Sequence, residues 1–213
     1  MSIRFLNTSN ADTIDSSILD LNIDFISSSV VSKETSELNV LLPKISGDVS
    51  LVSSECESKA SKNDSRYVLA KKIHKTMPII VTEEDLSSIG FRLKSQLNEN
   101  SKMLSYNITI PEMNHNEIIG WENNNIDKKS FSMIWIHIGW PKNLERMKIT
   151  NEILSKKVSH VAHLSVPDKV PKNLTSLFFL INYIDWLSYW RGILNDVDID
   201  AIKSIDLLKK KIS

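Results

Sequence analysis

The segment LNENSKMLSYNITIPEMNHNEIIGW (97–121) crowds Glu99, Lys102, Glu112, His115 and Glu117 around one short apolar run. A desolvated carboxylate can abstract a proton from carbon, and an imidazole can exchange one near neutrality. Glu99 closes a helix-like run, where the helix dipole favours cations over carboxylates, so its position gains nothing for stability. His115 follows the alternating run LSYNITI, and ligands of open parallel sheets collect beyond the carboxyl ends of strands. The helix before such a strand runs antiparallel to it, which puts Glu99 at the opposite edge from His115 of the same chain. The two serve one pocket only if the chain bends unusually or His115 serves a neighbouring subunit. As plain structure, both are solvated loop residues.

Other candidates carry less. HNE (115–117) and HVAH (160–163) lack the helical HExxH spacing, and no cysteine cluster exists, so no metal site is expected. His160 and His163 read as ordinary strand-edge residues. SSSVVSKETSE (27–37) follows a strand-like run, and its hydroxyls and amides can cradle a phosphate or form a simple loop. Lys209, Lys210 and Lys211 suit the end of a solvated helix, and Trp186, Tyr189 and Trp190 read as core aromatics.

The elements that must position these residues fall into two zones. Residues 1–60 are rich in Ser, Asp and Asn, with strand-length apolar runs IRFL, IDFIS, LNVLL and DVSLV, followed by a linker-like SSECESKASKNDS (53–65). From residue 66 the pattern alternates. Short helix 66–74 precedes strand 77–81, and Thr82 with Asp85 resembles a capping box for a helix whose stripe is Leu86, Ile89, Leu93 and Leu97. The next strand puts Leu104, Tyr106, Ile108 and Ile110 on one face. Strand 131–138, helix 141–157, strand 159–166, apolar helix 174–195 and amphipathic helix 199–212 follow. Alternating strands and helices predict an α/β layer sandwich with a parallel sheet covered on both faces.

Composition narrows the function classes. The 213 residues carry 26 basic and 26 acidic side chains, so no basic excess invites nucleic acid or an anionic membrane surface. The single cysteine, Cys56, forms no internal disulfide and fits a reducing compartment. The N-terminus lacks a signal-like apolar core. The most apolar run, 174–190, is broken by Asn182, Asp185 and Ser188, which suits a buried helix better than a membrane span.

RLKSQLNENSK, PEMNHNEIIGW and the closing SIDLLKKKI together resemble the bifunctional phosphoglucose/phosphomannose isomerases. That resemblance, densest over 66–213, implies a three-layer αβα, flavodoxin-like sugar isomerase (SIS) domain, preceded over 1–60 by a truncated SIS-like domain. It implies a cytoplasmic homodimer that interconverts glucose 6-phosphate or mannose 6-phosphate with fructose 6-phosphate through a cis-enediol, without cofactor, metal or nucleotide. Glu99 matches the family's base, His115 its ring-opening histidine, donated by the neighbouring subunit, and Lys209 its lysine. Ser27, Ser29 and Ser32 match the hydroxyls of its phosphate loop, with Glu34 and Thr35 closing the motif. Two departures stand out: Val30 replaces the glycine of that loop, and no Pro-Arg motif supplies the family's enediolate-stabilising arginine. They open an alternative, a catalytically weak or inactive sugar-phosphate-binding homologue with a regulatory or partner role.

Overall fold

The computed structural model describes residues 64–138 and 141–212; the expectations for the Ser-rich loop, the linker, Cys56 and the first domain lie outside them. The described residues belong to one compact unit, Ser61–Ser213. Helix α1 (Ser65–Lys72) leads into β1 (Met77–Glu83), α2 (Ser87–Ser101), β2 (Tyr106–Ile110) and a short α3 (Glu117–Gly120). Then come β3 (Phe131–His137), α4 (Pro141–Leu154), β4 (His160–Ser165), α5 (Leu174–Leu194) and α6 (Lys203–Ile212). All strands pair in parallel in the order β2-β1-β3-β4.

The burial of both sheet faces explains why β1 and β3 read as unbroken apolar runs. On one face Ile79, Val81, Ile108, Ile110, Met133 and Trp135 pack with Met147 and Leu154 of α4. The alternate residues Ile80, Ile134 and Ile136 are fully buried on the other face. There α2 comes so close to the sheet that a Cβ on Gly90 would sit 2.8 Å from Thr82 Cγ2. The side chain of Asp64 caps α1 by accepting from Arg66 N (2.8 Å), and Arg66 Nη1 donates to Asn182 of α5 (3.1 Å). A bidentate pair from Arg92 Nε and Nη2 to Asp185 (3.0 and 2.8 Å) fastens α2 to α5. The three-layer αβα architecture expected for residues 66–213 is therefore observed.

Three local expectations are corrected. Thr82 does not start a helix: β1 runs on to Glu83, and a 3-10 turn (Glu84–Leu86) with no side-chain cap intervenes before α2. Parallel pairing of Thr82 with both neighbouring strands outweighs the local capping signal. Leu104 lies outside β2 and is 76% exposed, because β2 is an edge strand that begins only at Tyr106. Trp186, Tyr189 and Trp190 are half-buried rather than core; with Tyr67 they form a ring cluster along the α1–α5 seam, and among the described residues the fully buried large aromatic is Trp135.

Candidate functional site

Glu99 sits half-buried in the last turn of α2, whose backbone and neighbouring side chains are bonded to the rest of the fold. Lys102 adopts the left-handed conformation (φ 51°, ψ 39°), and its N–H and that of Met103 (3.3 Å) both donate back to the Leu97 carbonyl, which ends the helix. Asn100 Nδ2 donates to Ser188 Oγ (2.9 Å), Ser101 Oγ donates to the Ser188 carbonyl (2.7 Å), and Asn195 Nδ2 donates to the Ser101 carbonyl (2.7 Å). Gly192 permits this approach, since a Cβ there would lie 2.8 Å from the Asn100 carbonyl oxygen and from Ile199 Cγ1. Lys102 Nζ donates to the carbonyls of Glu99 (2.6 Å) and Ile199 (3.0 Å). The NENSK motif is thus a socketed helix end, held by residues 188–199 that periodicity alone did not single out.

His115 occupies the far edge of the sheet. Pro111 follows β2, a 3-10 turn (Glu112–Asn114) buries Met113 completely, and His115 N donates to the Glu112 carbonyl (2.9 Å). Asn114 Nδ2 donates to Thr150 Oγ1 of α4 (2.8 Å), and Asn116 Nδ2 donates to Glu112 Oε1 (2.7 Å). The segment is braced and the imidazole is exposed. Because β1 and β2 are parallel, Glu99 lies at the edge where β2 begins and His115 beyond the edge where it ends. The five residues of β2 span roughly 16 Å at about 3.3 Å each. One chain does not bring the two together.

Lys209 lies on α6, whose Ile205, Leu207, Leu208 and Ile212 are all exposed (42–77%). The root of α6 is tied to the Glu99 end of α2 through Ile199, by the Lys102 bond and by the packing over Gly192. Ser27, Ser29 and Ser32 lie outside the described residues. No group of three or more His, Cys, Asp and Glu suited to a metal ion occurs among the described residues, and none of their helices is long and apolar enough to cross a membrane.

Two polar features escaped the sequence reading. Glu83 ends β1 beside the point where strand order reverses between β1 and β3. It is 1% exposed and neither carboxyl oxygen has a well-formed hydrogen bond. Burial pushes its pKa up; the nearby Asn143 amide pulls it back in part, and Asp85 adds to the rise. Arg191, 1% exposed, shares a 2.7 Å hydrogen bond between Nη1 and His74 Nδ1. Burial and then the Arg191 charge lower the pKa of His74. The arginine inside an apolar helix was an available signal; Glu83 gave none, because it opens the acidic run Glu83–Asp85 that follows the apolar residues.

Comparisons with known proteins identify the family and the fold. A family model described as "Bacterial phospho-glucose isomerase C-terminal SIS domain" matches residues 62–212. The chain belongs to this family. Among its relatives, the bifunctional phosphoglucose/phosphomannose isomerase of Caldicellulosiruptor bescii is 32% identical over 149 residues, 68% of this chain and 43% of the relative. The enzyme of the same name from Aquifex aeolicus is 27% identical over 146 residues, 68% of this chain and 45% of the relative. The chain thus spans about half the length of these curated relatives. In structure it resembles a glucose-6-phosphate isomerase like protein from Thermus thermophilus, with TM-score 0.54 at 14% identity over 70% of this chain and 48% of that one. Glucosamine-6-phosphate deaminase from Thermotoga maritima gives TM-score 0.54 at 14% identity over 93% and 57%. These likenesses establish the SIS fold; the chain is a member of a sugar isomerase family.

Proposed function

We propose that this chain is an aldose–ketose isomerase acting on hexose 6-phosphates, interconverting glucose 6-phosphate or mannose 6-phosphate with fructose 6-phosphate. The observation that carries the reading is the socketed end of α2, where Asn100 and Ser101, next to Glu99, are bonded to Ser188 of α5 and to Asn195 just beyond it. Rigid placement of a base is what proton transfer at carbon needs. Glu99 takes the C2 proton of the open-chain aldose, the proton on O2 passes to O1, and Glu99 returns its proton to C1. The cis-enediol is the intermediate. His115 opens the ring by exchanging a proton with the ring oxygen, and it does so from the second subunit of a homodimer, since its own Glu99 lies a strand length away. Lys209 supplies a cation for the developing enediolate, and Ser27, Ser29 and Ser32 hold the phosphate. No nucleotide or metal takes part, and the cytoplasm is the compartment in which these sugar phosphates meet the enzyme.

The test is conversion of glucose 6-phosphate and mannose 6-phosphate in deuterated water, followed by NMR. Fructose 6-phosphate formation with deuterium appearing at the transferred carbon position supports the reading. If neither substrate turns over and fructose 6-phosphate only raises the melting temperature, the chain is a sugar-phosphate-binding homologue and the isomerase reading fails.

A further inference from the structure

A lysine in the last turn of a helix ordinarily does one thing: its ammonium meets the carbonyls that the helix leaves unpaired. Lys102 does this at Glu99 O (2.6 Å), but the same nitrogen also reaches Ile199 O (3.0 Å), 97 positions away in sequence. Ile199 belongs to the short connection between α5, which ends at Leu194, and α6, which starts at Lys203. Its side chain packs over Gly192, so the connection is fixed at one point by packing and at the same point by charge. Beyond it α6 leaves its own apolar residues exposed, so the direction of α6 depends on that root.

We propose that Lys102 is a positioning residue: its ammonium, bridging the carbonyls of Glu99 and Ile199, locks the helix end that carries Glu99 to the root of the helix that carries Lys209. The bridge sets the relative placement of the two side chains without touching substrate. The catalytic half of this inference rests on the isomerase reading; the coupling of α2 to the root of α6 does not.

Backbone conformation supplies a clean variant. Residue 102 sits at positive φ, a position that glycine fills without strain. Lys102→Gly therefore keeps or improves the helix stop while removing the bridge, and Lys102→Arg keeps a cation able to span both carbonyls. The experiment measures amide exchange over 197–212 in the full chain, together with kcat and KM for hexose 6-phosphate isomerisation. Lys102→Gly should melt no lower than the parent yet exchange about tenfold faster over 199–205, as expected when a hydrogen bond to a charged group is lost. Its kcat should fall by about tenfold with KM within about twofold, and Lys102→Arg should restore both readouts. Unchanged exchange in Lys102→Gly overturns the bridge, as does an arginine variant that behaves like the glycine one. Faster exchange with unchanged kcat overturns the positioning role. If the parent shows no turnover, the isomerase reading fails while the exchange readout still decides the coupling.

Discussion

Glu99 and His115 stand at opposite edges of one parallel sheet, separated by the length of β2, although they are only sixteen positions apart in sequence. The separation follows from handedness and pairing: two parallel neighbours joined by a helix require that helix to run back across the sheet. A pocket using both residues must draw them from different chains. The hydrogen bonds that hold the turn of Glu99 and the segment of His115 are formed within one chain.

Replacing Glu99 by Gln removes the proposed base while keeping the size of the side chain. The side chain is half-buried, and the hydrogen bonds that hold this turn come from its backbone and neighbours. Isomerase kcat should drop by about 10²–10⁴-fold, with KM changed less than about threefold. The unfolding free energy in denaturant should fall by no more than about 1.5 kcal/mol, the net contribution of one hydrogen bond.

Gly192→Ala tests the socket itself. In an ordinary helix interior this change stabilises by about 1 kcal/mol. Here the new methyl meets the Asn100 backbone oxygen at 2.8 Å, and a backbone atom cannot step aside. Overpacking of this kind costs about 1–3 kcal/mol, so the melting temperature should fall by a few degrees and kcat should fall with it. A variant more stable than the parent would mean that α2 and α5 are not in such close contact.

Glu83 predicts an unusual pH dependence. Its pKa is raised in the folded chain by burial, so the native state holds its proton more tightly than the unfolded chain does. The stability it contributes is therefore complete below its ordinary value of 4.5 and is lost as pH rises through the raised one. His74, His137 and His163, whose pKa values burial lowers, act in the opposite sense below 6.5. Subtracting Glu83→Gln from the parent cancels the histidines. The difference in unfolding free energy should shift in favour of the Gln variant as pH rises above 4.5, by up to about 1.4 kcal/mol per unit. A flat difference would show that Glu83 ionises without penalty in the fold.

The fold was legible where burial decides secondary structure. MPIIV and FSMIWIHI read as strands because β1 and β3 are covered on both faces. The edge strand β2 was harder: with one neighbour and partial cover, its start slipped from Leu104 to Tyr106. For the candidate site, the opposite placement of Glu99 and His115 followed from strand–helix alternation alone. The socket was not legible, because Ser188, Gly192, Asn195 and Ile199 acquire meaning only when α5 lies against α2. Glu83 was missed because the Thr82–Asp85 pair was read as a helix start, which put a buried strand carboxylate on a solvated turn.

The most direct test of the account is subunit complementation between Glu99→Gln and His115→Ala. Each homodimer should be inactive, since every site lacks one residue. After co-refolding an equal mixture, half of the dimers pair one chain of each kind, and each such dimer holds one intact site and one doubly defective site. The mixture should therefore recover about a quarter of parental hexose 6-phosphate isomerase activity, as expected for an isologous dimer. A mixture that remains at the sum of its two parents, with mixed dimers present, would contradict a site shared between Glu99 of one chain and His115 of the other.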